Sequence, residues 1–209
     1  MSADSKAPPT KAHPAAVSPR VGLRERKKER TRRTIRSEAL RLFQEQGYAE
    51  TTVEQIAEAA EVSPSTFFRY FPSKEQVAMA DDLDPILIQA IRSQPAELSP
   101  LRAFVQATKD VFDSLSAEDM EFEQQRMQLI ASVPELSTVI AQETDRNVRL
   151  MAMLAAERAG RGEDEVEVRA FAGALIGAML TAFDPAPGGG LDLDKVERIA
   201  AFLEAGMPL

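Results

Sequence analysis

The sequence predicts an all-α protein in which a small basic N-terminal part precedes a larger acidic helical part. Prolines and glycines concentrate at the two ends and in a late loop at 185–190, which leaves the long middle of the chain free to form helices. Apolar residues through that middle recur at helical spacing. With 209 residues, 44% of them hydrophobic, the chain can bury a substantial core.

Charge is divided unevenly between the two parts. Residues 1–41 carry twelve Lys and Arg against four acidic residues, a net charge of +8. Because the whole chain carries −8, the remainder carries −16. A basic module attracts phosphates and an acidic body is repelled by them, so this asymmetry would both draw the molecule to DNA and orient it there.

Composition excludes several classes of site. There is no cysteine, so the chain can form neither a disulfide nor a thiolate site. The single histidine, His13, lies in a segment rich in Pro and Ala, so the residues for a histidine-based catalytic or zinc site are also missing. The first twenty residues have no apolar secretory segment, and the longest uncharged run, 170–183, is too short to span a bilayer. We therefore expect a soluble, cytoplasmic protein without a cofactor or a membrane partner.

The N-terminal residues 1–21 have no periodicity and are predicted to be a disordered tail whose lysines stay solvated or touch DNA. A helix is predicted from Leu23 to the C-terminal cap Gly47. A charge run is often only a solvated face, but this one directly precedes the motif described next. We expect it to contact phosphates or the minor groove, mainly through Arg30 and Arg33. The early turns of the helix hold eight basic residues: Arg24, Arg26, Lys27, Lys28, Arg30, Arg32, Arg33 and Arg36.

The stretch 51–74 has the pattern of a helix-turn-helix. Thr52 is predicted to cap its first helix, with Gln55 as the capping-box partner. Ser63 followed by Pro64 marks the start of the second helix, which should end near Phe71.

The second of these helices is predicted to bury Phe67 and Phe71 on one face. Its other face carries hydroxyls, Arg69 and aromatics. No carboxylate occurs between Pro64 and Pro72 in a chain with 33 acidic residues, which suits an anionic partner.

A third capping signal follows, with Ser73 as the cap and Gln76 as its capping-box partner. Lys74 then lies in a first helical turn, where the helix dipole disfavours a cation. We expect a bound phosphate to compensate, and a solvated lysine beside an acid is the alternative.

The ordered set of motifs in this region resembles the DNA-binding domain of the TetR family of transcriptional regulators over about Arg30 to Ala80. The resemblance implies a three-helix DNA-binding domain at 22–72, a helical ligand-binding and dimerisation domain at 73–209, and a homodimer. The residues that carry it are Gly47-Tyr48, Thr51-Thr52-Val53, Ile56-Ala57, Ala60, Val62-Ser63, Thr66-Phe67-Phe68, Tyr70-Phe71 and Ser73-Lys74.

The resemblance also implies which side chains contact DNA. By position they are Thr52, Ser65, Thr66, Phe68, Tyr70 and Lys74, with Arg69 among them. Phe68 departs from the tyrosine common in the family. Since phenylalanine cannot donate to a phosphate, Phe68 is expected either to touch a thymine methyl group or to pack internally.

Six further helical segments are predicted after Lys74. The segment 125–136, QRMQLIASVPEL, resembles the regulatory domains of actinobacterial members, including regulators linked to mycofactocin genes. The predicted segments are a connecting helix to about Asp82 that resumes over Ile86 to Arg92, then Pro100 to Leu115, Ala117 to Ser132, Pro134 to Ala159, Glu163 to Phe183, and Asp192 to Ala205.

Methionines and phenylalanines in these segments recur at helical spacing, which is typical of a core. Methionine also lines adaptable pockets, and the family resemblance implies a cavity for a small apolar effector. The candidate ligand residues are Phe104, Phe112, Met127, Met151 and Phe171.

The segment 163–183 is apolar on more than one side, so it needs two packing partners. The resemblance implies that the last two helices pair with those of a second copy. Gly173 and Gly177 allow close approach of helices there, and internal packing is the alternative use. The predicted dimer residues are Gly173, Ile176, Gly177, Leu180 and Phe202.

These expectations describe a ligand-responsive regulator, a repressor released from a palindromic double-stranded operator by a small apolar effector. One alternative is a helix-turn-helix regulator controlled by a protein partner. The other is an enzyme or carrier that uses a helical pocket. Asp119, Glu121 and Glu123 crowd one segment, but they lack histidine partners and metal-ligand spacing, so we interpret them as a solvated face and expect no enzyme.

Overall fold

The computed structural model describes residues 22–184, 186 and 189–209, so the predicted tail at 1–21 lies outside the described residues. The described part is helical as predicted, with one isolated β-bridge between Phe183 and Leu191. A 3-10 turn, Pro134–Leu136, precedes the eighth helix. The helices are α1 (Leu23–Gln46), α2 (Val53–Ala59), α3 (Pro64–Tyr70), α4 (Lys74–Met79), α5 (Asp84–Ser93), α6 (Pro100–Ser114), α7 (Ala117–Ser132), α8 (Ser137–Ala159), α9 (Val166–Leu180) and α10 (Leu193–Glu204).

The helix ends in the N-terminal part lie at the predicted capping signals. The Thr52 hydroxyl accepts from the Gln55 N–H at 3.2 Å, and the Gln55 side chain accepts from the Thr52 N–H at 2.9 Å, so the predicted capping box is confirmed. Gly47 ends α1 with φ of 92°, a value that favours glycine. At α4 only the hydroxyl half of the predicted box forms, because Ser73 accepts from the Gln76 N–H while Gln76 makes no return bond.

A first core joins the helix-turn-helix to the rest of the protein. Ile35 of α1, Ile56 of α2 and Phe67 of α3 are fully buried in it. Ile130 of α7 and Leu136 of the 3-10 turn belong to the same cluster. The hydrophobic core of the predicted DNA-binding domain therefore extends past residue 72 and rests on two elements of the predicted regulatory domain.

A second core fills the bundle of α5, α6, α8, α9 and α10. Leu175 of α9 and Val196 of α10 are fully buried, and Met151 of α8 is nearly so. The predicted helices 100–115, 117–132 and 192–205 are confirmed to within a residue or two. No described helix is long and apolar enough to cross a membrane.

Helix α9 packs against the second core but leaves part of its surface exposed in the protomer. Val168, Ala172 and Leu175 are buried, whereas Gly177 and Leu180 are exposed. A Cβ atom added to Gly173 or Gly177 would meet nothing within 4 Å, so internal packing does not require these glycines. This contradicts the internal-packing alternative for the two glycines.

Candidate nucleic-acid interface

Helix α3 is anchored by one phenylalanine and presents the opposite face to solvent. Phe67 is fully buried, and its ring centroid lies 6.0 Å from that of Phe71. Ser65 and Arg69 are exposed, as is Thr52 at the start of α2. A seven-residue helix is not stable alone, so Phe67 and Phe71 hold this face in place.

The exposed face of α3 combines hydroxyl, aromatic and cationic groups. The Ser63 cap hydroxyl lies 2.9 Å from the hydroxyls of both Ser65 and Thr66, which orders these two side chains. The Arg69 guanidinium stands 5.5 Å from the centroid of the Tyr70 ring. Phe68 is 51% exposed, so of its two expected roles internal packing is contradicted.

Lys74 lies against the loop between α1 and α2. Its Nζ donates to the carbonyl oxygens of Tyr48 at 3.0 Å, Thr51 at 3.3 Å and Ala49 at 3.4 Å, and it stands 4.4 Å from the centroid of the Tyr48 ring. An ammonium has three donors, and here each has a carbonyl acceptor. This geometry argues against the phosphate contact predicted for Lys74 and indicates that the lysine fixes the loop leading into α2.

We expect Lys74→Ala to weaken binding to specific and random duplexes alike without changing the slope of log affinity against log salt. The reason is that the loop loses its cationic support while no phosphate contact is lost. Arg30→Ala is the control, because Arg30 is exposed and has no ion-pair partner among the described residues. It should flatten the slope by roughly one per subunit. A salt titration measures both slopes. If Lys74→Ala flattens the slope as much as Arg30→Ala does, Lys74 contacts a phosphate.

The basic residues of α1 divide into two groups. Arg30 faces solvent, whereas Arg32 pairs with Asp82, Arg33 pairs with Asp119 of α7, and the side chain of Arg36 is only 3% exposed. The sequence-based interpretation had treated this whole run as available to DNA. The structure corrects it for Arg36, whose guanidinium group is buried against acidic side chains, whereas the paired Arg33 stays 65% exposed and its DNA contact stays a prediction.

A buried ion-pair network links α1 to α7 and to the loop after α4. Arg36 donates to the Ala80 carbonyl at 2.6 Å, lies 3.4 Å from a Glu123 oxygen and also pairs with Asp82. Arg126 donates to Glu123 at 2.7 Å and to Asp81 at 2.9 Å. Below, "the bridging network" means these six residues: Arg36, Ala80, Asp81, Asp82, Glu123 and Arg126.

The electrostatics of the bridging network differ from those expected for a solvated face. The Glu123 side chain is 12% exposed and pairs with two arginines, so the expectation of a solvated acidic face is wrong for Glu123. Asp119 forms a solvent-exposed ion pair with Arg33. Burial lowers the pKa of Arg126, but the charges of Asp81 and Glu123 outweigh it and the pKa is raised overall. Arg126 therefore stays charged in the interior.

The predicted ligand residues are divided between the two cores. Phe104, Met151 and Phe171 belong to the second core, whereas Met127 packs on the first. Two clefts of about 310 and 820 Å³ flank the loop after α4, and neither is lined by any of the five, Phe112 included. Among the described residues, no group of three or more acidic side chains is placed so that it could hold a metal ion, and His13 lies outside them.

Comparison with known proteins identifies the family. Residues 98–208, more than half of the chain, match the family described as MftR C-terminal domain, and residues 35–80 match that described as bacterial regulatory proteins, tetR family. The chain belongs to the TetR family. It is therefore a transcriptional regulator and not an enzyme, and the predicted similarity of its regulatory domain to mycofactocin-linked regulators is confirmed.

Individual relatives agree with this assignment. The chain is 36% identical over 171 residues to the HTH-type transcriptional regulator TcmR of Streptomyces glaucescens, covering 78% of this chain and 74% of that protein. It is 25% identical over 166 residues to the putative mycofactocin biosynthesis transcriptional regulator MftR of Mycobacterium tuberculosis, covering 79% and 82%. These two relatives are both actinobacterial regulators.

A solved structure shows the same fold. Thermus thermophilus FadR, a TetR family repressor crystallised with lauroyl-CoA, is 23% identical to the chain with a TM-score of 0.54, covering 85% of this chain and 95% of that one. TetR regulators bind DNA operators and usually act as dimers.

Proposed function

We propose that the protein is a dimeric repressor that binds a palindromic operator and is released from it by a small effector with a large apolar part. The observation that carries this proposal is the exposed face of α3, held by Phe67 and free of acids in a chain of net charge −8. Release by an effector is supported by the structural neighbour FadR, a repressor whose structure contains lauroyl-CoA. Such a regulator acts in the cytoplasm, where bacterial DNA lies.

In the proposed DNA interface, some residues contact bases and others contact the phosphate backbone. Ser65, Thr66, Phe68 and Arg69 lie on or beside the exposed face of a helix whose length suits the major groove, so we assign them to bases. Thr52, Tyr70 and the exposed Arg30 are assigned to the phosphate backbone.

Replacement of Arg69 by glutamine should reduce discrimination at particular base pairs. A bidentate arginine contact is worth about 1–3 kcal/mol of discrimination, so operator binding should weaken while binding to random duplexes changes little. Arg30→Gln is the matched control and should weaken both, because a phosphate contact carries no sequence information. Competition between operator and random DNA measures the ratio. Equal losses for Arg69→Gln on both duplexes would show that Arg69 does not read bases.

The proposed dimer is built from the outward face of α9 with α10. Leu180, one turn after Gly177 in α9, is 59% exposed, and Phe202 of α10 is 37% exposed in the protomer. Exposed apolar side chains of this size beside glycines suit a close helix–helix contact. Gly173 and Ile176 lie along the same helix and complete the proposed contact.

A further inference from the structure

The exposed face of α3 is divided into two rows of different chemistry. Residues four apart in a helix lie one above the other on the same face. Pro64 and Phe68 are one such pair and are apolar, whereas Ser65 and Arg69 are another and are polar. All four residues are exposed. We call Pro64 and Phe68 the apolar row and Ser65 and Arg69 the polar row.

The ring of Phe68 is supported from the protein side. Its neighbour Phe67 is fully buried, and the two rings meet edge to face, with centroids 5.5 Å apart and an angle of 87° between their planes. Phe68 itself is 51% exposed. Because an aromatic side chain has only two rotatable bonds, this contact leaves the ring little freedom. The apolar row therefore presents a positioned ring to the surface that α3 contacts.

The major groove of DNA offers one apolar group to such a ring. The base pairs present hydrogen-bond donors and acceptors there, and thymine alone adds a methyl group at C5. An apolar ring placed over a donor or acceptor leaves that group without a partner, which costs free energy. Contact with a methyl group instead removes apolar surface from water. The apolar row therefore favours thymine over the other bases.

The spacing of the two rows limits how far apart their bases lie. Four residues of helix rise about 6 Å, and the bases of one strand are about 3.4 Å apart along the DNA axis, so each row spans about two base-pair steps. The two rows adjoin each other on α3. Arginine most often binds the O6 and N7 atoms of guanine. A thymine contacted by Phe68 should therefore lie close to a guanine contacted by Arg69.

We propose that the apolar row reads thymine methyl groups, so that each operator half-site carries a thymine within about two base pairs of a guanine bound by Arg69. This inference rests on the proposed function and names the bases that α3 selects. It adds Pro64 to the residues that determine specificity. Because phenylalanine has no hydroxyl group, Phe68 contributes apolar contact and no side-chain hydrogen bond.

Deoxyuridine tests the proposal on the full-length wild-type protein. In the operator recovered by selection from a random pool, each thymine is replaced in turn by deoxyuridine, which removes the C5 methyl group and keeps the base pair. One thymine in each half-site should be sensitive, and the thymines outside the half-sites should not. Affinity measured by fluorescence anisotropy should fall about fourfold per methyl group, and about tenfold or more when both half-sites are replaced.

Methylation of cytosine is the converse test. 5-Methylcytosine carries a methyl group at the same C5 position as thymine, and cytosine lacks it. With a C·G pair placed at the sensitive position, the methylated duplex should bind about fourfold more tightly per methyl group than the unmethylated one. Equal affinity for the two duplexes would contradict methyl recognition.

Variants of the two rows assign the effect to its residues. Phe68→Ala should keep the fold, because the position is exposed and alanine has a higher helix propensity than phenylalanine. It should weaken operator binding, leave binding to random duplexes unchanged, and abolish the loss caused by deoxyuridine. Pro64→Ala should reduce that loss in part. Arg69→Gln is the matched control from the polar row, and it should weaken operator binding while keeping the full deoxyuridine loss.

Two results would overturn this inference alone. One is an enriched palindrome in which no deoxyuridine position weakens wild-type binding. The other is a deoxyuridine loss that persists unchanged in Phe68→Ala, since another residue would then contact the methyl group. Failure to enrich any sequence would instead refute the proposed function, and this inference with it.

Discussion

Replacement of Arg36 by methionine is expected to lower the free energy of unfolding by about 3 kcal/mol. Removing one partner from a buried ion pair costs about 3–5 kcal/mol, because a charge is left buried without compensation. We expect a loss at the lower end of this range, because Asp82 still pairs with Arg32 and Glu123 still pairs with Arg126 in the variant. The Ala80 carbonyl, which accepts from Arg36 at 2.6 Å, loses that donor.

Arg33→Met is the matched control for this experiment. It removes an arginine one turn earlier in the same helix that also pairs across to α7, but the Arg33 side chain is 65% exposed and such pairs contribute about 0–1 kcal/mol. Urea denaturation of the two variants measures the difference directly. Equal decreases in the free energy of unfolding for the two variants would show that burial of the bridging network does not stabilise the contact between the domains.

Replacement of Gly177 by leucine is expected to leave the protomer folded while converting a dimer to a monomer. An added Cβ meets nothing within 4 Å inside the protomer, and leucine has a higher helix propensity than glycine, so the helical content should be retained. In the proposed dimer the same side chain would separate two closely packed helices. Operator affinity should fall about 100-fold or more, because binding through two linked modules is lost.

Sedimentation of Gly177→Leu gives the oligomeric state, and circular dichroism gives the fold. Gly177→Ala is the matched control, since one methyl group at a helix contact is tolerated far better than an isobutyl group. If Gly177→Leu sediments as a dimer and binds operator normally, the interface lies elsewhere.

The sequence could predict the features that depend on residues close together in the chain. Thr52 with Gln55, and Ser63 with Pro64, are local signals, and the structure places helix starts at both. The exposed face of α3 was predictable for the same reason, because the positions of Phe67 and Phe71 on one side determine which residues face solvent.

The bridging network and the contacts of Lys74 depend on residues far apart in the chain. Arg36 meets Asp82 and Glu123 at separations of 46 and 87 residues, so nothing beside Arg36 in the sequence distinguishes it from the exposed Arg30. One signal was available in retrospect, since Arg36 lies on the helical face of Ala39 and Leu40, which are buried three and four residues later. Arg126 shows the same pattern, four residues before the buried Ile130.

The ligand residues were not predictable from side-chain type. Methionine and phenylalanine occur at helical spacing in both cores, and spacing alone does not say which core a residue joins. Met127 therefore packs with the first core while Met151 packs with the second.

Selection of bound duplexes from a random DNA pool tests the central claim most directly. A dimer that presents two α3 helices should enrich a palindrome whose half-sites lie about one DNA turn apart or slightly more, with two protomers bound per duplex. Enrichment of an asymmetric sequence, binding of one protomer per duplex, or no enrichment over random DNA would contradict the account.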